Sequence, residues 1–117
     1  MICINHCLSE REVYKIEELA GLFKILSDSN RLKIIFTLEK NKKSVSQIIE
    51  DTNLSQPLVS FHLKVLRQAN IIKTYRDGTL VFNELARQEL IDSIKSFKKF
   101  AKDNIGYGQG PQCKPPW

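Results

Sequence analysis

Soft metal ligands stand at both ends of this sequence. Cys3, His6 and Cys7 lie near the N-terminus, and Cys113 lies near the C-terminus. If the first helix extends back to Cys3, residues 3, 6 and 7 share one face at three-and-four spacing. Three thiolates suit a trivalent metalloid, As(III) or Sb(III), and three thiolates with His6 suit a tetrahedral Zn-like ion. These four residues are therefore the predicted metal site.

The same thiols allow two other interpretations. In a reducing compartment, exposed thiols can sense oxidants or sulfur species as well as metals. Terminal segments also carry incidental cysteines that sense nothing. An odd number of cysteines with none in the middle of the chain gives no internal disulfide framework.

A second group of chemically informative residues lies on a helix predicted from the N-cap Ser55 to about Ala69. Apolar residues at three-and-four spacing predict its buried face, with His62 at the edge as a partly buried, hydrogen-bonded side chain. The remaining faces are mainly polar and basic and carry Gln56, Ser60, Phe61, Lys64, Arg67 and Gln68. Amide side chains can hydrogen-bond to base edges, and basic side chains can contact phosphates. This surface is therefore predicted to bind duplex DNA.

Hydrophobic periodicity and capping residues predict the other helices and the strands that must position this helix. The sequence predicts a helix over 10–26, a second from Asp28 or Ser29 to Leu38, a third after the capping box of Ser44 and Gln47, and a last helix over about 87–102. Strands are predicted over 71–75 and 80–82, joined by a type I′ turn at Asp77-Gly78. Only residues 53–55 separate the third and fourth helices. The predicted fold is mainly α with a two-stranded β-wing, a winged helix-turn-helix.

Length and composition limit the remaining choices. The 117 residues, 42% of them hydrophobic, allow one folded domain, predicted over 9–103 between a Cys/His segment at 1–8 and a Gly/Pro-rich tail at 104–117. The apolar stretches are too short for a membrane helix, so the protein is not expected to enter membranes. The N-terminus is unlike a secretory signal, which predicts a cytoplasmic protein. A net charge of +5 favours a polyanionic partner. The sequence contains no arrangement of acid, base and nucleophile typical of an active site, so it does not predict an enzyme.

Three segments resemble the ArsR/SmtB family of metal-sensing repressors. They are 26–35 (LSDSNRLKII), 54–69 (LSQPLVSFHLKVLRQA), and 76–79 (RDGT) before Val81-Phe82, and the resemblance covers roughly 18–97. It implies a homodimeric repressor that pairs through its first and last helices and leaves its operator when an effector binds. It also implies that Gln56, Ser60 and Phe61 face bases, with Pro57 or Leu58 able to touch a thymine methyl.

The other DNA contacts are predicted from residue chemistry. Ser55 caps the helix and adds a DNA contact, while four basic residues, Lys64, Arg67, Lys73 and Arg76, are suited to phosphates. The wing tip, from Arg76 to Thr79, is predicted to reach the backbone or the minor groove. A winged helix that binds protein or RNA in place of operator DNA is the alternative.

Two metal sites of the resembled family are missing from this sequence. At the positions of its paired cysteines stand Ser44-Val45-Ser46, and residues 87–104 contain no histidine where its zinc-type site uses histidines. Serine hydroxyls are poor ligands for soft metals. An inorganic effector is therefore expected at Cys3, His6, Cys7 and Cys113, which the pairing of first and last helices would bring together within or between subunits.

Overall fold

The computed structural model describes residues 8–104, and within them it has five helices and one two-stranded sheet. In chain order these are α1 (Glu10–Leu26), α2 (Ser29–Thr37), α3 (Val45–Thr52), α4 (Gln56–Gln68), β1 (Ile72–Asp77), β2 (Leu80–Leu85) and α5 (Gln88–Asn104). This is the predicted order of helices and hairpin. None of these helices has the combination of length and apolar character that a membrane crossing needs.

Polar caps start the first four helices at the residues where the sequence changes from loop to apolar period. Ser9 and Ser44 each form a complete capping box, with Glu12 and Gln47 respectively. The Asp28 side chain accepts from the backbone N–H groups of Asn30 and Arg31 at the start of α2. Each cap satisfies backbone donors that a helix leaves without partners at its first turn.

The core lies where α2, α3, α4 and the base of the hairpin meet. Its fully buried side chains include Ile34, Ile35, Leu38, Ile48, Val59, Leu66 and Ile72, and Ile91 adds the start of α5. In contrast, α1 buries only Leu26 and is exposed along its whole first part, residues 10–21. The core thus fixes α2 to α4 and the hairpin, while residues 8–101 leave most of α1 exposed.

The hairpin turn differs from the predicted one. Asp77 pairs with Leu80, so the two turn residues are Gly78 and Thr79, and within the described chain Gly78 has φ +66° while Thr79 does not have a positive φ. The prediction of a type I′ turn with Asp77 and Gly78 as its central residues was therefore wrong. Glycine at the first of two central positions is the pattern of a type II′ turn, which also matches the twist of the strands.

The second strand is longer than predicted. It continues past Phe82 to Leu85, and Ile72 pairs with Leu85 at the base of the hairpin. The polar residues Asn83 and Glu84 interrupt the apolar run, but each has a partner in the sheet. Asn83 makes backbone hydrogen bonds in both directions with Lys43, of 2.8 and 2.9 Å, and Glu84 forms an ion pair with Lys73.

Candidate nucleic-acid interface

The elbow between α3 and α4 is short and has a defined backbone. Asn53 ends α3 in the left-handed conformation, with φ 62°, which asparagine tolerates better than most residues. Two residues later the Ser55 hydroxyl accepts from the Leu58 N–H at 3.4 Å and begins α4, with Pro57 in the first turn. The cap and the first turn of α4, with Ser55, Gln56 and Pro57, are exposed to solvent.

The two sides of α4 differ as the sequence predicted. Val59, His62, Leu63 and Leu66 are buried, and the side facing away from them is open to solvent. Most of the predicted contact residues on α4 and at its cap are exposed, namely Ser55, Gln56, Pro57, Ser60, Phe61, Lys64 and Arg67. Leu58 is half-buried. Phe61 is 54% exposed, so its ring can make apolar contact with a bound partner.

His62 has a hydrogen-bond partner, as predicted, but it is more deeply buried than the predicted place at the edge of α4's inner face. It is 4% exposed, and its Nδ1 accepts a hydrogen bond of 3.2 Å from Nε of Arg31 on α2. Arg31 also donates from Nη1 to the backbone carbonyl of Ile25 at 3.3 Å. This histidine therefore holds the buried side of α4 against α2.

The hairpin follows α4 directly and carries the other predicted contacts. Lys73, Arg76 and Thr79 are all exposed. The Lys73 ammonium lies 3.2 Å from the Glu84 carboxylate across the strands, so part of its charge is already compensated. Within the side chains of residues 8–101, neither Arg76 nor Lys64 forms an ion pair, and they are the freer cations of this surface.

Beside the hairpin, Lys42 lies over two aromatic rings. Its Nζ is 5.1 Å from the centre of the Tyr75 ring and 4.8 Å from that of Phe82, distances typical of cation–π contact. The neighbouring Tyr75 side chain is the main cause of a raised pKa for Lys42, and Asp77 and Glu84 add to it. Lys42 is therefore a cation held against the hairpin.

Sequence reasoning missed the residues that attach the hairpin to the helices. Asn83 is 1% exposed in the middle of β2, and its Oδ1 accepts from the Thr74 hydroxyl at 2.8 Å. Its Nδ2 donates to the Lys43 carbonyl at 3.3 Å, and Arg67 Nη1 lies 3.5 Å from the Thr74 hydroxyl oxygen. The one available signal was a lone asparagine directly after the apolar run 80–82 that predicted the second strand.

The same attachment continues into the helices through a charged pair. Nζ of Lys43 forms an ion pair with Asp51 on α3, and the Thr37 hydroxyl on α2 donates to the same carboxylate at 3.2 Å. The Lys43 ammonium is the first cause of a lowered pKa for Asp51, opposed by partial burial of the carboxyl group. The hairpin is thus joined by polar contacts to α2, α3 and α4.

The predicted metal ligands Cys3, His6, Cys7 and Cys113 lie outside the described residues. Among the side chains of residues 8–101, no group of three His, Cys, Asp or Glu is placed to hold a metal ion. At the start of α3, the Ser44 hydroxyl accepts from the Gln47 N–H as a helix cap. Ser44 therefore caps α3, as the capping box of Ser44 and Gln47 predicted.

A second exposed surface, here called the α1–α5 face, is apolar. On α1, Val13, Ile16, Leu19 and Phe23 are between 40% and 51% exposed, and on α5, Phe97 and Phe100 are 48% and 52% exposed. Phe23 and Phe97 join the two helices edge to face, with ring centres 5.7 Å apart. An apolar surface of this extent on two neighbouring helices is typical of a protein interface.

Comparison with known proteins gives a consistent family. Residues 28–74 match the model of bacterial regulatory proteins of the arsR family. The transcriptional repressor SdpR of Bacillus subtilis is 35% identical over 80 residues, 68% of this chain and 89% of its own. The cadmium resistance regulatory protein CadC of Listeria innocua is 32% identical over 101 residues, 86% of this chain and 85% of its own.

In a further relative, the match to this chain covers only part of the relative's length. The transcriptional regulator KmtR of Mycobacterium tuberculosis is 36% identical over 77 residues, 62% of this chain, and the match spans only 59% of KmtR. Among solved structures, NolR of Sinorhizobium fredii superposes with a TM-score of 0.71 at 25% identity over 80% of this chain and 93% of its own. The homodimeric winged helix-turn-helix domain of Mb0332 from Mycobacterium bovis has a TM-score of 0.71 at 19% identity, covering 90% of this chain and 97% of its own.

Proposed function

The chain belongs to the arsR family of bacterial regulatory proteins, and from this we propose that it is a homodimeric repressor that binds operator DNA and leaves it when an effector binds. The family consists of DNA-binding transcriptional regulators, which agrees with the expectation from sequence that the chain is not an enzyme.

The exposed side of α4 carries the proposal. A helix whose N-terminal turn is exposed to solvent, directly followed by a hairpin, has the geometry of a recognition helix with a wing. We assign base contacts to Gln56, Ser60 and Phe61, with Pro57 beside them, because they lie in the first two turns of α4. Gln56 can form two hydrogen bonds with an adenine, and Phe61 can pack on a thymine methyl.

Phosphate contacts are assigned to the cations around this helix. Lys64 and Arg67 follow the base-facing turns on α4, while Lys73 and Arg76 lie on β1. Ser55 and the wing-tip residue Thr79 add polar contacts to the backbone. The compensation of Lys73 by Glu84 gives it a smaller share of the affinity than Arg76.

Dimerisation is assigned to the α1–α5 face. It is the apolar surface that the core leaves uncovered, and α1 would otherwise hold a row of apolar side chains in water at a cost in free energy. Two copies joined there can present two recognition helices to half-sites about one helical turn, roughly 34–36 Å, apart. The name of the structurally similar Mb0332 domain records a homodimer.

The effector is proposed to be a thiophilic metal or metalloid bound by Cys3, His6, Cys7 and Cys113. These include all three thiols of the chain, and thiolates select soft ions. One relative is named as a cadmium resistance regulator. Effector and operator would then be linked through the first and last helices, on which the dimer depends.

The experiment is a fluorescence anisotropy titration of the full chain with duplex from the promoter region of its own gene. Binding should persist in the presence of excess random duplex, at a typical specificity ratio of about 10³ or more. Equal binding of promoter and random duplex, or no binding of either, would contradict the repressor assignment and favour a winged helix that binds protein or RNA.

A further inference from the structure

A continuous row of polar contacts runs from the recognition helix through the wing to the helices behind it. Arg67 on α4 contacts Thr74 on β1, and Thr74 donates to Asn83 on β2. Asn83 then donates from its backbone and its side chain to the carbonyl of Lys43. The Lys43 ammonium forms an ion pair with Asp51 on α3. Asn83 is the buried centre of this row.

We propose that Asn83 is a positioning residue for DNA binding, which fixes the wing against the helix-turn-helix so that Arg76 reaches the phosphate backbone. The proposal rests on the function assigned above and adds a residue that does not itself touch DNA.

The first reason is that the wing needs an anchor. A two-stranded hairpin is marginally stable by itself in water, and here β1 and β2 are the only strands that pair along their length within the described chain. The bridge between Lys43 and Asn83 adds a third backbone partner at one point. Because that point lies at Asn83, the side chain and the backbone of one residue attach the wing.

The second reason is that the contacts of Asn83 are specific and cannot be replaced by water. Its side chain is fully buried, and no buried side-chain polar atom in residues 8–101 lacks a hydrogen-bond partner. An amide buried without its partners is costly, so the wing orientation that satisfies Asn83 is strongly preferred. An apolar residue of similar size would fill the space without selecting that orientation.

The third reason is the place of Arg76 relative to this anchor. Thr74 is the cross-strand partner of Asn83, and Arg76 lies two residues further along β1 towards the tip. Residues two apart in a strand point to the same face of the sheet. The orientation of that face, which Asn83 sets, is therefore the orientation of the Arg76 side chain.

The test is a double-mutant cycle on operator binding with Asn83→Leu and Arg76→Ala. We expect each variant to lower operator affinity about tenfold and to reduce the salt slope by about one, the signature of one lost phosphate contact. The double variant should lose little more operator affinity than either single variant, because Arg76 no longer contacts the phosphate once the wing is released. Losses that multiply to about a hundredfold would overturn the proposal.

Controls separate this outcome from general damage. Gln56→Ala, in the recognition helix, should combine with Asn83→Leu by simple multiplication of the two losses. Thr74→Val removes the hydroxyl that links β1 to Asn83 at a half-buried position, and should reproduce the Asn83→Leu phenotype even if that variant folds poorly. Urea unfolding of the free proteins must show additive effects of Asn83→Leu and Arg76→Ala.

Failure of the proposed function is distinguishable from failure of this inference. If wild type does not prefer operator over random duplex, the repressor assignment fails before any variant is compared. If wild type binds specifically and Thr74→Val keeps the full salt slope and affinity, the repressor assignment stands and the positioning role of Asn83 is wrong.

Discussion

Arg31 on α2 donates a hydrogen bond to His62 on the buried side of α4, with 3.2 Å between Nε and Nδ1. The two residues are 31 positions apart in sequence, and their contact joins the helix-turn-helix to the helix behind it. It also gives the recognition helix a fixed rotation about its own axis, because the exposed residues of α4 lie opposite the side that His62 occupies.

This contact should be measurable as a coupling in stability. Arg31→Ala and His62→Ala should each lower the free energy of unfolding, and the double variant should be less destabilised than the sum by about 1 kcal/mol, the net value of one such hydrogen bond. Urea denaturation monitored by far-UV circular dichroism gives all four values. Additivity of the two losses within about 0.3 kcal/mol would mean that the contact contributes nothing.

A second prediction separates base reading from phosphate binding on α4. Gln56→Ala should reduce the preference for operator over random duplex by about 1–3 kcal/mol, because it removes hydrogen bonds to a base edge. Lys64→Ala, on the same exposed side of the helix, should weaken both duplexes alike and lower the salt slope by about one. Anisotropy titrations at several salt concentrations provide both numbers, and equal effects of the two variants on preference would refute the assignment.

Sequence patterns predicted the helices and the exposed side of α4 well because period and caps are local. The capping box of Ser44 and Gln47, the cap at Ser55 and the buried stripe through Val59 and Leu66 are all present. The hydrogen bonding of His62 was also predicted correctly, but its partner Arg31 was not, since nothing local specifies a contact across 31 positions.

The wing was predicted less well for a physical reason. The strength of an Asp-Gly signal favoured a type I′ turn, but the register that pairs Ile72 with Leu85 places Gly78 first in the turn. That register is set by contacts distant in sequence, above all the bridge from Lys43 to Asn83, which are 40 positions apart. Hairpin register depends on such contacts as well as on turn residues.

The α1–α5 face leads to a third prediction, on assembly. Ile16→Glu places a charge among apolar side chains that a partner subunit would cover, so the variant should be monomeric and should bind operator more weakly. Glu18→Lys lies about 200° further around the same helix and should leave the dimer intact. Sedimentation equilibrium at micromolar concentration distinguishes the two, and a wild type that is strictly monomeric would contradict both the dimer and the paired recognition helices.

A fourth prediction concerns acid stability. The pKa of Asp51 is lowered in the folded chain by Lys43, so the ionised carboxylate stabilises the fold above the ordinary aspartate pKa near 3.9, and this contribution disappears as pH falls through the lowered folded value. Wild type should therefore lose stability relative to Asp51→Asn as pH decreases below about 4. Because the pair is partly exposed, with side-chain exposures of 24% and 40%, the difference should be small and should shrink in high salt.

The control for this experiment is Lys43→Met, which removes the main cause of the lowered Asp51 pKa and leaves the carboxyl group and its hydrogen bond from Thr37 in place. In that background, Asp51→Asn should change the pH dependence of the thermal midpoint between about pH 4 and 2 much less than it does in wild type. A wild type and an Asp51→Asn variant with the same acid profile would show that the ion pair contributes nothing to the stability of the fold.

The last prediction tests the effector at the chain ends. Arsenite, antimonite or a Zn-like ion should release wild type from its operator with a loss of affinity of about 5–150-fold, the usual range of coupling between two sites. Cys7→Ser should remove the response, since a serine hydroxyl is a poor ligand for soft ions and two thiolates cannot complete a three-thiolate site. The measurement is operator anisotropy under reducing conditions with each ion in turn.

Two further results decide between the interpretations of these thiols. Release by a mild oxidant that is reversed by a reductant, without release by any ion, would assign the cysteines to redox or sulfur-species sensing. Cys113→Ser should lose the metal response as Cys7→Ser does if the C-terminal thiol completes the site, and should keep it if Cys3, His6 and Cys7 suffice. A wild type that stays on its operator with every thiophilic ion and every mild oxidant leaves the terminal cysteines without a sensory role, while the DNA-binding surface of α4 and the wing would be unaffected because it contains none of them.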